Sequence, residues 1–267
     1  MYSATPNRPA RHVAFWLGKP PKPTSLFPEL FGLLREAGLE VTVHLPHERP
    51  PPRSAPDLIV HRGLRPEALA AVGALARAGV PVCNPLAGTE LTRDRVGLAA
   101  RLRQARLLVP PGVTATTWDE AREAATLPSV IKTAGGADGR GGTVIAGSRA
   151  DLPAERPFGG PYLVQPFVPN EGVDRKLYVA GGAVRGLLKP SPLARGHASG
   201  GDPFEPDAEL ATLARRVGDA VGLELYGVDV LVGRGGPVVV DVNAFPGFRG
   251  VADAPQPIAE HLLRRYG

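Results

Sequence analysis

Two apolar strands near the C-terminal end form the clearest pattern in the chain. Residues 226–232 and 237–243 are rich in β-branched side chains and are separated by a glycine-rich turn, which predicts a β-hairpin. Side chains alternate between the two faces of a strand, so Asp229 lies among apolar neighbours, and Asp241 and Asn243 share a face. The pattern predicts that three oxygen-bearing side chains converge at the hairpin.

Carboxylate and amide oxygens suit a hard cation such as Mg²⁺. A carboxylate in the middle of an apolar strand is costly to bury unless a metal or another partner neutralises it. The alternative is a hairpin whose acids are simply solvated, but both strands are too apolar for an exposed ribbon. We therefore expect Asp229, Asp241 and Asn243 to be metal ligands.

The first part of the chain alternates between strands and helices, which predicts a parallel α/β layer. Four basic residues follow its strand ends, where the ligands of such sheets collect, and we expect them to form one basic mouth. The alternative is that they are scattered, solvated surface residues. The predicted strands are 13–17, 39–45, 58–60 and 80–83, the helices are 26–38 and 66–78, and the basic residues are Lys19, Lys22, His61 and Arg62.

The middle of the chain reads as a strand, a glycine loop and a second strand, over residues 129–145. Glycines allow backbone N–H groups to wrap phosphate oxygens, and Lys132 supplies a positive charge at the end of the first strand. The loop is not a Walker loop, because no Gly-Lys-Ser/Thr closes it. A later apolar strand, residues 162–168, can present Gln165 and backbone groups to an adenine ring, or it is an ordinary core strand. The polar, glycine-rich stretch 189–201 is typical of a mobile lid.

Composition narrows the choice of partner. The chain has 267 residues, a formal net charge of +5 and 6% aromatic residues. The modest basic excess is compatible with a phosphorylated ligand, whereas the lack of a dense Lys/Arg run argues against nucleic acid. The single cysteine, Cys83, excludes an intrachain disulfide. Without an apolar leader or a run of ~18 apolar residues, we expect a cytoplasmic protein with no membrane segment.

The order of these motifs resembles the ATP-grasp superfamily. Within it, the chain is most similar to the inositol trisphosphate 5/6-kinases, also known as inositol tetrakisphosphate 1-kinases. The resemblance implies an α/β protein with an ATP-grasp fold behind an N-terminal parallel α/β domain, divided at 1–88, 89–168 and 169–267. The segments that carry it are Phe15–Leu17, Asp57–Arg62, Asp94–Arg95, Ile131–Thr133, Gln165–Val168, Lys176–Val179, Lys189–Ser191 and Asp241–Gly247.

The resemblance also implies ATP and Mg²⁺ as cofactors and in-line phosphoryl transfer to a hydroxyl of an inositol (poly)phosphate, by a protein that is a monomer. No protein nucleophile is needed. The nucleotide would be bound by Arg95, Lys132, Gly139, Gly141, Gln165, Val168 and Ser191. The acceptor would be bound by Lys19, Lys22, His61, Arg62, Lys176, Lys189, Asn243 and Gly247, with Lys176, Lys189 and Arg140 in catalytic roles.

The chain departs from the kinase pattern at three places. Its glycine loop has no histidine, which leaves Arg140 as a substitute or indicates another acceptor; His61-Arg62 stands for a His-Lys pair, and Lys189 for an arginine. Asp174, two residues before Lys176, is similar to the RimK-type glutamate ligases, which pass an acyl phosphate to an amine. A carboxylate–amine ligase is therefore the alternative function. A non-catalytic nucleotide-binding module is disfavoured, because the metal ligands and both phosphate-contacting cations are present.

Overall fold

The computed structural model describes residues 11–47, 55–135, 142–193, 201–233 and 235–266. The chain divides into two compact units, one formed by residues 1–83 with 253–267 and the other by residues 84–252. The strands are β1 (His12–Leu17), β2 (Glu40–His44), β3 (Leu58–Arg62), β4 (Val82–Cys83), β5 (Val113–Ala115), β6 (Ser129–Thr133), β7 (Thr143–Ala146), β8 (Tyr162–Pro166), β9 (Val173–Ala180), β10 (Ala183–Pro190), β11 (Asp202–Phe204), β12 (Leu225–Gly233) and β13 (Gly236–Ala244). The helices are α1 (Phe27–Glu36), α2 (Pro66–Arg77), α3 (Leu86–Leu91), α4 (Arg95–Gln104), α5 (Trp118–Ala124), α6 (Ala208–Val221) and α7 (Pro255–Tyr266).

The first unit is built on a parallel sheet with strand order β2-β1-β3-β4. The central strand β1 is buried continuously from Val13 to Leu17, as expected for a parallel strand that is covered on both faces. The last helix of the chain, α7, packs against α1. Two further contacts tie this helix to the unit: the Arg11 guanidinium donates to the Tyr266 carbonyl at 2.8 Å, and the Tyr266 hydroxyl donates to the Val82 carbonyl at 3.5 Å.

The second unit contains two antiparallel sheets. The larger has the order β11-β10-β9-β12-β13, and the smaller has the order β5-β8-β6-β7. Helix α6 begins at Asp207, whose side chain accepts from the Leu210 N–H, and it ends at Gly222 with φ +76°. Its apolar residues form one core with alternate residues of the larger sheet, among them Leu177, Val228 and Val242. Alternation therefore leaves the intervening residues of β9, β12 and β13 on the opposite face.

The smaller sheet packs against α5. Thr117 and Glu120 form a capping box at the start of this helix, and Trp118 buries its ring against the sheet with Tyr162. Helix α4 starts at Asp94, whose carboxylate accepts from the backbone N–H groups of Val96 and Gly97.

Most predicted elements are present with small shifts of their ends. The C-terminal hairpin, the parallel layer and the strand–loop–strand pattern around Lys132 are confirmed. Three short elements were not predicted, namely α3, β5 and β11. Each has six residues or fewer, too short for a hydrophobic period, and β11 contains Pro203, which is tolerated at a sheet edge.

The division at 1–88, 89–168 and 169–267 stays a prediction. The structure groups residues 253–267 with the first unit. Over the residues that the structure describes, no helix is both long enough and apolar enough to cross a membrane.

Candidate functional site

The face of the larger sheet that points away from α6 carries a row of charged side chains. Lys176 on β9 pairs in register with Asp229 on β12, which pairs in turn with Asp241 on β13. The Lys176 Nζ atom lies 2.6 and 2.7 Å from the two carboxylate oxygens of Asp229. Asn243 follows on the same strand face, with its Nδ2 atom 3.4 Å from Asp241 Oδ2. The structure thus brings together the three predicted metal ligands and one predicted catalytic lysine.

A bulge in the hairpin places a second lysine at this row. Asp229 pairs with Asp241 but Val230 pairs with Val239, so Val240 is the extra residue on β13. The Lys132 Nζ atom donates to the Val240 carbonyl at 2.7 Å. The lysine of the smaller sheet therefore ends beside Asp241 of the larger one.

Arg95 is held at the start of α4, next to the end of β6. Its backbone N–H donates to the Ala134 carbonyl, and its guanidinium donates to the Thr133 carbonyl, both at 2.8 Å. Two cations, Arg95 and Lys132, are thus presented where β6 enters the glycine loop. Such a pair suits phosphate oxygens.

These two cations line a cleft that is partly open to solvent. Its apolar wall includes Leu98 and Leu163, and Gln165 and Asp241 lie among its polar residues. Gln165 is 6% exposed, and its amide donates to the Pro110 carbonyl at 3.4 Å. An apolar wall with a few convergent polar groups is typical of a small-molecule site.

Asn170 links two of the predicted nucleotide contacts and was not itself predicted. Its Nδ2 atom donates to the Val168 carbonyl at 3.1 Å and to the Ser191 hydroxyl at 3.2 Å. Its Oδ1 atom accepts from the Gly172 N–H at 2.8 Å. The spacing of an Asn two residues before a Gly is the sequence signal of such an Asx turn. Val168 and Ser191 are thereby fixed relative to each other.

Burial and charge shift several pKa values in the row. Burial raises the pKa of the Asp229 carboxyl, and the neighbouring Lys176 charge opposes the rise. Burial alone would lower the pKa of Lys176, but the charge and hydrogen bond of Asp229, together with the charges of Tyr178 and Asp241, outweigh burial and the pKa is raised. Burial lowers the pKa of Lys132, against the charge of Asp241. Burial likewise raises the pKa of Asp174, whose Oδ1 atom has no hydrogen-bond partner within the described ranges.

Four predicted acceptor residues lie in the first unit. Lys19 and Lys22 are exposed in the loop after β1, and this loop begins beside β3, where the Gly18 N–H donates to the Arg62 carbonyl at 2.9 Å. Arg62 places its guanidinium 5.6 Å from the centroid of the Phe27 ring. His61 differs from the prediction, because it lies inside β3 rather than beyond it and is only 2% exposed.

The remaining predicted residues are less informative. Lys189 is half-buried on β10, across from Asp174, and Gly247 is half-buried in the turn after β13. Gly139, Arg140 and Gly141 lie outside the described residues, as does most of the predicted lid.

The residues present fit a nucleotide and a divalent cation. Asp229, Asp241 and Asn243 offer the oxygen ligands that Mg²⁺ prefers, and Arg95 and Lys132 offer donors for phosphate. The cleft beside them has the apolar wall that a nucleoside needs.

No protein-family model matches the chain. Among curated proteins, a probable alpha-L-glutamate ligase from Xanthomonas axonopodis pv. citri is 27% identical over 201 residues, which is 67% of this chain and 67% of that protein. Probable alpha-L-glutamate ligase 1 from Shewanella denitrificans is 30% identical over 200 residues, which is 67% of this chain and 65% of that protein.

Solved structures resemble the chain over nearly its full length. A RimK domain ATP-grasp protein from Sphaerobacter thermophilus has a TM-score of 0.73 and 25% identity, and the match covers 94% of this chain and 99% of that one. A D-alanine–D-alanine ligase from Bacillus anthracis, solved with ATP, has a TM-score of 0.67 and 16% identity, covering 96% of this chain and 97% of that one. The chain has an ATP-grasp fold. The ATP-grasp ligase PsnB, solved with a minimal precursor, Mg and ADP, has a TM-score of 0.66 and 21% identity, covering 99% of this chain and 100% of that one.

The ATP-grasp fold expected from the sequence is confirmed. The expectation of an inositol phosphate kinase is wrong, because the curated relatives are named glutamate ligases and the similar structures are ATP-grasp ligases. The inositol phosphate acceptor has no support either. The stretch Asp241–Gly247 contributed to that prediction, and the structure places it at the end of β13 and directly after it.

Proposed function

We propose that the protein is an ATP-dependent carboxylate–amine ligase that acts on an amino acid or a peptide, with ATP as substrate and Mg²⁺ as cofactor. The observation that carries the proposal is the row Lys176–Asp229–Asp241 beside Lys132, in a chain whose curated relatives are named glutamate ligases. PsnB, one of the similar structures, is solved with a precursor peptide, which supports an amino-acid or peptide substrate here.

The first chemical step is transfer of the γ-phosphoryl group to a carboxylate. A carboxylate oxygen forms a bond to the γ-phosphorus, the bond from that phosphorus to the bridging oxygen breaks, and ADP and an acyl phosphate result. In the proposed site, Arg95 and Lys132 bind phosphate oxygens and offset their charge. Asp229, Asp241 and Asn243 would hold Mg²⁺, which neutralises phosphate charge.

The second step forms the amide. The amine nitrogen attacks the acyl carbon, the bond from that carbon to the phosphate oxygen breaks, and phosphate and a proton leave. Neither step requires a covalent bond to the protein, in agreement with a site made of cations, carboxylates and amides. Lys176, on the same face as Asp229, is placed to offset the charge of the acyl phosphate.

Trapping the acyl phosphate tests this function. The purified full chain is incubated with Mg-ATP, hydroxylamine and single amino acids or short peptides as carboxylates, without an amine acceptor. We expect ADP, free phosphate and a hydroxamate of the carboxylate, because hydroxylamine intercepts the acyl phosphate. Glutamate added in place of hydroxylamine should then give an amide.

The matched control omits the carboxylate and should give no ADP above background. The proposal is overturned if ATP is turned over with a carboxylate present but neither hydroxamate nor amide forms. It is equally overturned if the γ-phosphate stays attached to the organic product.

A further inference from the structure

The carboxylate of Asp229 already has a cation on both of its oxygens. Lys176 Nζ lies 2.6 Å from Oδ1 and 2.7 Å from Oδ2, so that one ammonium faces the whole carboxylate edge. About a quarter of each side chain is exposed, 26% for Lys176 and 24% for Asp229. The pair is thus partly shielded from water, and its attraction is stronger than that of a surface salt bridge.

A divalent cation that binds Asp229 must meet this ammonium. Both cations would use the same two oxygens, and they would then lie within about 4 Å of each other, where like charges repel strongly in a poorly solvated site. Lys176 must therefore move away from Asp229, or the metal must bind in spite of the repulsion.

A second lysine ends near Asp241, at a backbone carbonyl rather than at the carboxylate. The ammonium of Lys132 is fixed at the carbonyl of the adjoining residue, Val240, at 2.7 Å. Two carboxylates in the row thus stand beside two lysines, which together carry the charge of one divalent cation. A metal that enters alone would add to the positive charge of these lysines.

Resting on the proposed ligase function, we propose that Lys176 competes with the divalent cation for Asp229, so that the site takes up the metal together with nucleotide phosphates rather than alone. Phosphate oxygens supply the negative charge that the metal needs, and they accept the ammonium that the metal displaces. Lys176 then changes partner from the carboxylate to the phosphate, which brings it to the reacting group only when metal and nucleotide are both bound.

Under the competing explanation, Lys176 has a purely structural role. In that case the ion pair only ties β9 to β12, and it persists when metal binds. The two explanations differ in what the lysine does to metal affinity in the absence of nucleotide.

Titration with Mn²⁺, followed by the electron paramagnetic resonance of the free ion, separates them. For the wild-type protein we expect weak Mn²⁺ binding without nucleotide and binding at least about tenfold tighter with ADP. For Lys176→Met we expect Mn²⁺ binding without nucleotide to tighten by about tenfold, and the gain from ADP to shrink correspondingly.

Two further variants guard the interpretation. Lys176→Arg keeps a cation at Asp229 and should bind Mn²⁺ alone as weakly as the wild type. Arg215→Met removes a cation from the exposed side of α6, where its Nε atom donates to the Gly182 carbonyl at 3.1 Å, and should change Mn²⁺ affinity less than twofold. Thermal melts of all variants show whether each is folded.

The inference is overturned if Lys176→Met melts cooperatively and binds Mn²⁺ alone no more tightly than the wild type, while ADP still binds. That result leaves the ligase proposal intact. If instead the wild type binds neither ADP nor ATP by calorimetry in the presence of Mg²⁺, the ligase proposal fails, and the inference that rests on it fails as well.

Discussion

The parallel sheet of the first unit and the five-stranded sheet of the second differ in whether a strand face is left for polar side chains. In β1 every residue from Val13 to Leu17 is buried, and no face of the strand is left for chemistry. In β9 the buried Leu177 packs in the α6 core while its neighbour Lys176 reaches Asp229 on the other face. A sheet with one apolar face can present a functional row on the other face without weakening its core.

Within the described residues, both sheets contain buried polar atoms without hydrogen-bond partners, among them Asp174 Oδ1 on β9, but they differ at two pairs of side chains. The rings of Trp16 and His44 lie 4.3 Å apart in the first unit, and neither Trp16 Nε1 nor His44 Nε2 has a hydrogen-bond partner within the described part of the chain. Lys176 and Asp229, by contrast, are paired through both carboxylate oxygens. Buried polar atoms without partners cost stability, whereas the paired row is arranged for binding.

The largest effect is expected on the polar face. Asp241→Asn removes one negative charge from the row, and we expect ADP formation in the ligase assay to fall on the order of 10²–10³-fold, because the row would hold Mg²⁺ less well and Mg²⁺ would neutralise the charge of the transferring phosphoryl group. The unfolding free energy should change by less than about 1 kcal/mol. Coupled ADP detection and urea denaturation measure the two quantities.

Asp119→Asn is the matched control, since its side chain is 87% exposed on α5. It should leave both quantities unchanged. Full activity of Asp241→Asn would remove Asp241 from the site.

On the apolar face of the larger sheet, we expect a substitution to change the unfolding free energy more than the activity. Leu177→Ala deletes a side chain that is 0% exposed in the α6 core, and we expect a loss of about 2–5 kcal/mol of unfolding free energy, because a cavity replaces buried apolar contact. Urea denaturation measures the loss.

Leu108→Ala, at a side chain that is 54% exposed, is the matched control and should cost less than about 0.5 kcal/mol. The comparison between faces breaks down if Leu177→Ala is as stable as Leu108→Ala.

The smallest effect is expected on the pH dependence of stability, through His44 in the first unit. Burial lowers the pKa of His44 from its ordinary 6.5, so below pH 6.5 the unfolded state binds more protons than the folded state. The stabilising contribution of neutral His44 is fully present above pH 6.5 and is lost as the pH falls through that value towards the lowered pKa.

We expect His44→Phe to flatten this part of the stability–pH curve, measured by urea denaturation between pH 5 and 7.5. The difference between wild type and His44→Phe should be smaller than the loss in Leu177→Ala. A pH-independent difference between the two proteins would contradict the assignment to His44.

The sequence predicts the one-sided strands and the faces of their charged residues well. Asp229 and Asp241 are visible because they interrupt apolar strands at positions that alternation assigns to one face, and the structure places them as cross-strand neighbours. The sequence also predicts the position of Lys132 next to the start of the glycine loop. Local spacing is sufficient for Asp229 and Asp241, because they lie on the adjacent strands of one hairpin.

Contacts between residues that are far apart in the sequence cannot be predicted from the sequence pattern. Nothing around Lys132 indicates that its ammonium meets the carbonyl of Val240, 108 residues later, because that contact requires the bulge in β13. Similarly, His61 looks like a strand-end residue, yet β3 continues through it and buries it. The acceptor was assigned from a motif next to the metal hairpin, and a metal site carries little information about the acceptor.

The packing of α7 against α1 has a consequence for the order in which the protein is made. The first unit draws on both ends of the chain, whereas residues 84–252 are continuous. A ribosome finishes residues 84–252 while α7 is still untranslated. The second unit can therefore complete its contacts during synthesis. The first unit begins to be translated first but is completed last. Until α7 has been made, the side of α1 that α7 covers stays accessible to chaperones and proteases.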